Sequence, residues 1–194
     1  MTPQDRSVAL RALVEDSTTA PTRAALLERW NTLPVTVPRF LDLAAFDTLR
    51  AVCARLLPGH PAVDVAGPMD ARLAGDESDG WRYDALPPDR DALRLGLAGL
   101  DQTAQVSYGV AFLLLVGAEQ DAVLQTVQRG DAPGVAWATL PAQRFFEELL
   151  AEATEVYYAH PLASAAIGYG GMADVPGWAA IGLNQQDARE LPLP

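Results

Sequence analysis

Few side chains in this sequence could do chemistry, and their spacing favours structural roles. The single cysteine, Cys53, lies within the apolar helical pattern of residues 43–57. A reactive thiolate needs an exposed and electropositive site, so a buried thiol is favoured over a nucleophile paired with His60 or His160. Because one cysteine can form neither an internal disulfide nor a cysteine-cluster metal site, we expect neither.

Both histidines directly precede a proline, at His60-Pro61 and at His160-Pro161. Two histidines without neighbouring cysteines or paired carboxylates make a poor zinc set. An imidazole near a helix C-terminus can bond the carbonyls left unpaired there, so we interpret His160 as a helix cap. The alternative is a base at His160 that works with Asp174 or a tyrosine, which would make the chain a small stand-alone enzyme.

The remaining motifs also give no catalytic centre. Glu148 and Glu152 stand four residues apart, on the face away from the apolar positions of their helix, which is typical of a solvated face rather than an acid-base pair. The sequence "GYGG" at 168–171 loosely matches the start of a dinucleotide loop. However, "MADVPGW" follows it where such a loop must open a helix. Neither a phosphate-binding P-loop nor a G-x-S-x-G nucleophile motif is present in the sequence.

The helices that must position these residues follow from apolar residues at steps of three and four. We predict them over residues 5–15, 21–33, 43–57, part of 63–75, 88–100, 110–130 and 141–160. The apolar run 110–116 fits a buried helix or a strand. Helical spacing up to Val127 favours the helix, with Gly130 as its C-cap. The sequence "DQTAQVSYG" at 101–109 is predicted to interrupt the helices.

The pattern shows no alternation of strands with helices and no hairpin signal. The predicted fold class is therefore mostly α: a compact multi-helix domain with an irregular C-terminal segment rich in glycine and aromatic residues. We divide the chain into an N-terminal helical extension, residues 1–38, and a helical domain, residues 39–194.

The net charge of the chain limits the kinds of partner that it can bind. With 14 basic and 25 acidic residues the chain carries a net charge of −11, which repels nucleic acid and anionic membranes. The run 110–116 is far shorter than the roughly 20 residues of a membrane-spanning helix. The first 30 residues lack an uninterrupted apolar core. We therefore expect no nucleic-acid partner, no membrane span, no signal peptide and, as written, a cytoplasmic location.

The segment 157–182, "YYAHPLASAAIGYGGMADVPGWAAIG", is irregular and apolar. Its tyrosines and tryptophan are residue types enriched in protein interfaces. It either closes the chain's own core or covers another protein, and different residues can serve each purpose. Six residues are candidates for partner binding: Tyr157, Tyr158, His160, Tyr169, Asp174 and Trp178.

The order of several segments resembles the gluconate 2-dehydrogenase subunit 3 family over roughly residues 40–190. The resembling segments are "LRAVCARLLPG" (49–59), "LRLGLAGLD" (93–101), "FLLLVGAEQDAVLQTVQRG" (112–130), "RFFEELLAEATEVYYAHP" (144–161) and "IGYGGMADVPGWAAIGLN" (167–184). No single segment is diagnostic, but the ordered set, which closes in His-Pro, Gly-Tyr and Gly-Trp, is specific.

The resemblance implies a helical accessory subunit that holds no cofactor itself. Such a subunit binds and stabilises an FAD-carrying catalytic subunit of the glucose-methanol-choline type, which oxidises a sugar or polyol, and assists its maturation. The resemblance leaves open a cytochrome subunit as a further partner. Relatives often carry a twin-arginine export signal, which this sequence lacks. The alternative location is therefore the periplasm, reached by co-export with the partner or after removal of a signal. A helical ligand-binding protein is the remaining alternative function.

Overall fold

The computed structural model describes residues 18–57, 59, 62–75, 85–167, 169, 182, 183 and 185. Within these residues the chain forms α-helices and two short 3-10 helices, and no strand. The helices are α1 (Ala20–Asn31), α2 (Leu43–Leu56), α3 (Ala66–Ala74), α4 (Asp89–Tyr108), α5 (Gly117–Arg129), α6 (Ala142–Tyr158) and α7 (Pro161–Ala166). The 3-10 helices are Phe112–Leu114 and Val135–Ala138. The mostly α fold class is confirmed, whereas the predicted helix at 5–15 lies outside the described residues.

Helix boundaries follow local signals where those signals are strong. The side chain of Asp42 accepts a hydrogen bond of 2.8 Å from the backbone N–H of Ala45, which caps the start of α2. Gly130 ends α5 with a left-handed φ of 80°, as predicted. Helix α6 ends before the His160-Pro161 step, and α7 begins at that proline.

The predicted interruption at 101–109 is wrong, because α4 continues to Tyr108. Thr103 and Ala104 are buried, at 1% and 0% exposure, so the core-facing stripe runs on through polar residues. The hydroxyl of Thr103 accepts a hydrogen bond of 2.9 Å from the Trp137 indole. Helix α4 ends only at Gly109, whose φ of 78° a side chain would disfavour.

The predicted continuous helix over 110–130 is also wrong at its start. Phe112–Leu114 form a 3-10 helix, and α5 begins at Gly117. The backbone N–H of Phe112 donates to Asp101 Oδ1 at 3.0 Å, and its carbonyl accepts from Gln120 Nε2 at 3.2 Å. These side chains satisfy backbone groups that a continuous helix would have bonded itself.

The core lies between α2, α4, α5 and α6, with α3 against α2 and α6. The face predicted for α6 is largely buried: Phe145, Leu149 and Ala153 are at most 3% exposed. Cys53 is also buried, at 5% exposure, which confirms the structural interpretation of this thiol. None of the helices in the described ranges is both long and apolar enough to span a bilayer.

Two acidic side chains, Asp70 and Asp64, hold the connector that precedes α2. Asp70 is fully buried in α3 and accepts hydrogen bonds of 2.5–3.1 Å from the backbone N–H groups of Arg39, Phe40 and Leu41. Asp64 likewise accepts from Val35 at 2.8 Å. Because a carboxylate is a strong acceptor in a dry site, this connector is held against α3 although it has no helical bonds of its own.

The predicted solvated face of α6 is wrong for Glu152. Its carboxylate lies 2.8 Å from the guanidinium of Arg72 on α3, and Arg72 also lies 3.4 Å from Asp89 at the start of α4. Burial raises the pKa of Glu152, and the Arg72 charge opposes that shift. The three residues join three helices, so this part of α6 faces a neighbour rather than water.

Candidate partner-binding site

Four of the six candidate residues lie at the end of α6 and just beyond it. Tyr157 and Tyr158 are the last residues of α6, His160 joins α6 to α7, and Tyr169 follows α7. Asp174 and Trp178 lie outside the described residues. Nothing in the structure tests the partner-binding role of these six residues, which stays a prediction.

The two adjacent tyrosines have different environments. Tyr157 is 8% exposed and Tyr158 is 38% exposed, while their rings meet edge to face with centroids 5.0 Å apart. Successive residues of a helix point about 100° apart, so one ring enters the core and the other stays at the surface. Tyr157 therefore supports the ring of Tyr158, which is the member of the pair that another protein could contact.

His160 occupies the junction between the last two helices. Its Nδ1 accepts a hydrogen bond of 3.2 Å from the backbone N–H of Leu162. Its carbonyl accepts from Ala163 and Ser164 at 3.0 and 3.1 Å. The imidazole thus caps the start of α7 through a nitrogen that carries no proton in this arrangement. The sequence predicts a His160 cap at the end of α6, and does not predict this cap at the start of α7.

Further hydrogen bonds hold the junction between α6 and α7. The hydroxyl of Ser164 donates to the carbonyl of Tyr158 at 2.6 Å, and the N–H of Tyr169 donates to the carbonyl of Ser164 at 2.9 Å. Arg29 on α1 reaches the carbonyl of Ala159 at 3.4 Å. Ile167 and Tyr169 are 62% and 58% exposed, so this short helix presents apolar area from a fixed position.

A cleft of about 330 Å³ lies beside this junction. Its lining includes Arg50, Cys53, Gly59, Asp64, Val65 and Tyr157. The polar groups in it already bond the chain itself: Asp64 accepts from Val35 and Gly67, and Arg50 donates to the carbonyl of Val35. These polar groups are therefore already engaged within the chain, and the sequence does not predict the cleft.

Cys53 lines this cleft, and its environment disfavours a nucleophilic thiolate. Burial raises its pKa to about 12, and the negative charges of Glu152 and Asp64 add to the shift. A nucleophilic cysteine needs the opposite electrostatics. Within the described part of the chain, no three histidine, cysteine, aspartate or glutamate side chains come together as a possible metal site.

A second exposed surface was missed by sequence reasoning. Six large apolar side chains between residues 106 and 116 are 37–74% exposed: Val106, Tyr108, Val110, Leu113, Leu114 and Val116. We name residues 105–118 the apolar ridge. The sequence predicts a buried helix over 110–116, because a buried run and an exposed apolar turn have the same composition. The missing charges in the ridge were the signal that could have drawn attention to it.

Comparison with known proteins identifies the family. The family model described as gluconate 2-dehydrogenase subunit 3 matches residues 44–177, which include most of the described helices from α2 to α7. No curated protein and no solved structure matches the chain. The matched range covers well over half of the 194 residues. The chain therefore belongs to the gluconate 2-dehydrogenase subunit 3 family.

Proposed function

We propose that this protein is the non-catalytic small subunit of an FAD-dependent dehydrogenase of the glucose-methanol-choline type. It binds and stabilises the catalytic subunit, which oxidises a sugar or polyol, and assists its maturation. The family match over residues 44–177 carries the proposal, because a numbered subunit of a dehydrogenase works with at least one other chain. The FAD belongs to the partner in this proposal.

The state of the reactive side chains supports a binding role. The Cys53 thiol has a pKa of about 12 because it is buried, and the Glu152 carboxylate is engaged by Arg72. The His160 imidazole accepts a backbone hydrogen bond at the start of α7. Each of these side chains has a structural contact in the fold, and the chemistry is accordingly assigned to the partner.

The exposed side chains near the end of α6 support the same proposal. Tyr158, Ile167 and Tyr169 are 38–62% exposed on a helix junction held by side-chain and backbone hydrogen bonds. Tyrosine supplies a large contact area with little rotamer entropy to lose, which suits an interface. We assign direct contact to Tyr158 and Tyr169, and a supporting role to Tyr157 and His160. Asp174 and Trp178 are proposed from the sequence as further contacts with the partner.

Co-expression tests the proposal. A flavoprotein of the proposed type, taken from the genome that encodes this chain, is produced with and without it, and a tag on this chain is used for purification. We expect flavin absorbance to co-purify with the tagged chain, and the yield of FAD-loaded flavoprotein to fall without it. Recovery of the tagged chain without flavin, together with an equal yield of active flavoprotein in its absence, would contradict the proposal. So would turnover of a sugar by the isolated chain.

Two variants separate a partner surface from closure of the chain's own core. Tyr169→Ala and Trp178→Ala should reduce the co-purified flavoprotein while the melting temperature of the isolated chain is kept. Val135→Ala is the control, because Val135 is 80% exposed on the second 3-10 helix. A large drop in melting temperature for Trp178→Ala with unchanged binding would assign this residue to the core.

A further inference from the structure

The apolar ridge reads "QVSYGVAFLLLVGA" and has no charged residue in 14 positions. Charged residues make up 20% of the chain, so the ridge is a local exception. Leu114 is 74% exposed and Val106 is 66% exposed. Large apolar side chains grouped on a surface mark an interaction site more often than isolated ones do.

The ridge has a defined shape. Phe112 and Leu115 anchor it in the core at 0% and 7% exposure. The N–H of Phe112 donates to Asp101. The N–H of Val116 donates to Glu119 Oε2 at 3.2 Å, and this bond caps the start of α5. The fold therefore positions the exposed side chains through buried anchors and polar bonds.

The last turn of α4 extends beyond the core at the same place. Gln105, Val106, Ser107 and Tyr108 are all exposed, so no face of this turn is covered by the rest of the described chain. A helix turn gains most of its stability in a protein from packing one face. A turn that exposes Val106 and Tyr108 gains this packing only when a second surface covers it.

The charges around the ridge indicate what kind of partner surface it can bind. The flanking residues Asp101 and Glu119 are acidic, and Asp121 is paired with Arg55 at 2.5 Å. Peripheral membrane binding depends on basic residues beside the apolar ones, which attract anionic lipids. The ridge itself has none, and Arg55, which lies beside Gly117 at the end of the ridge, is paired with Asp121. The composition of the ridge therefore fits an uncharged apolar protein surface, as in the core of an interface.

The area of the ridge favours a larger partner chain over a second copy of this chain. Its six large side chains are only 37–74% exposed, whereas each partner in a stable complex buries about 800 Å² from roughly 20–30 residues. Two ridges meeting each other would be too small for a stable homodimer. One ridge fits as part of a wider contact with a larger chain.

We propose that the apolar ridge is a contact surface for the catalytic subunit of the dehydrogenase, where it receives an uncharged apolar surface of that subunit. The inference rests on the proposed function for the existence of this partner. It does not depend on the residues near the end of α6, because the ridge is a separate group of side chains.

The test introduces a charge at the most exposed ridge position. The tagged chain carrying Leu114→Arg is co-expressed with the flavoprotein that the wild-type chain retains, and the flavin recovered per mole of tagged chain is measured. We expect a loss of about tenfold or more, as for a charge buried in an interface. The melting temperature of the isolated variant should equal that of the wild type.

Leu43→Arg is the matched control. Leu43 is 61% exposed at the first position of α2. Leu43 lies far from the ridge. The end of α2 that approaches the ridge is the one with Arg55, which would lie 3.0 Å from a Cβ at Gly117. Leu43 is 12 helical residues, about 18 Å, away from Arg55. This control should retain the flavoprotein. If Leu114→Arg lowers the melting temperature, Val106→Arg provides an independent variant of the same ridge.

The outcomes distinguish the two proposals. Wild-type chain that retains no flavoprotein would overturn the proposed function, and this inference with it. Wild-type chain that retains flavoprotein, with both ridge variants equal to it, would overturn only the inference. A wild-type dimer in sedimentation that Leu114→Arg makes monomeric would assign the ridge to a second copy and also overturn it. If the wild-type chain binds phosphatidylglycerol vesicles and Leu114→Arg abolishes that binding, the ridge is a membrane-binding surface, and the inference is overturned.

Discussion

Gly96 on α4 lies so close to Phe145 on α6 that a Cβ at Gly96 would fall 2.1 Å from the ring carbons Cε2 and Cζ. Phe145 is only 3% exposed and meets Trp137 at a ring-centroid distance of 5.8 Å. The ring therefore cannot move aside without disturbing its own neighbours. The absence of a side chain at Gly96 sets how closely these two helices pack.

Replacement of Gly96 by alanine should destabilise the protein, although alanine is the better helix former. The clash with Phe145 outweighs the gain in propensity, and we expect a loss of about 1–3 kcal/mol in the free energy of unfolding. Urea denaturation followed by circular dichroism measures this. Gly117→Ala is the matched control, because its nearest neighbour is the flexible end of Arg55. A Gly96→Ala variant as stable as the control would contradict the close packing.

Removal of the Asp70 carboxylate should be more damaging than removal of an exposed helix cap. Asp70→Ala leaves the backbone N–H groups of the connector before α2 without their acceptor, and we expect a loss of roughly 2–4 kcal/mol. Asp42→Ala, which removes the exposed cap of α2, should cost about 1 kcal/mol. Thermal and urea denaturation of the two variants compare them. Equal losses would mean that burial of Asp70 adds nothing.

The raised pKa of Glu152 predicts a pH dependence of stability. In the window above the ordinary value of 4.5, the folded state holds a proton on Glu152 that the unfolded state has released. Unfolding then releases a proton, so this group's contribution to stability falls as pH rises through the window. We expect the stability of the wild type, relative to Glu152→Gln, to decrease from pH 4 towards neutrality. Denaturation curves at several pH values measure this difference, and a rise with pH would reverse the assignment.

The Cys53 thiol should resist labelling in the folded protein. With a pKa of about 12, its thiolate fraction at pH 8 is roughly one in ten thousand, and the side chain is buried. Ellman's reagent should react slowly under native conditions and quickly in urea. Because the folded pKa lies above the ordinary value of 9.0, the free energy of unfolding should fall as pH rises above about 9. Native labelling at the rate of a free cysteine would restore the nucleophile hypothesis.

Sequence reasoning succeeded where one local signal was repeated. Apolar residues at helical spacing and the His160-Pro161 step predicted α6, and the structure has it at Ala142–Tyr158. It failed where distant residues decided the outcome. Polar letters after Leu100 suggested an interruption, but Thr103 meets Trp137, 34 residues away, and the helix continues. The sequence predicts that Glu152 faces water, but Arg72 on α3 lies against it.

The candidate site was predictable only in part. The composition of 157–182 singled out the tyrosines, but not that Tyr157 enters the core while Tyr158 stays at the surface. The apolar ridge was visible as a run of uncharged residues. Its exposure depends on where Phe112 and Leu115 find space in the core, and that is a property of the packed helices.

The sequence by itself determined the helical fold class, the boundaries at strong caps and prolines, the net negative charge and the family. These depend on interactions within about one helix turn, or on composition, which are present in the chain before it folds. Tertiary structure decided how closely α4 approaches α6, which carboxylates are buried, and which apolar residues face solvent. Those depend on contacts between residues far apart in sequence, because burial is shared between surfaces that only meet in the folded protein.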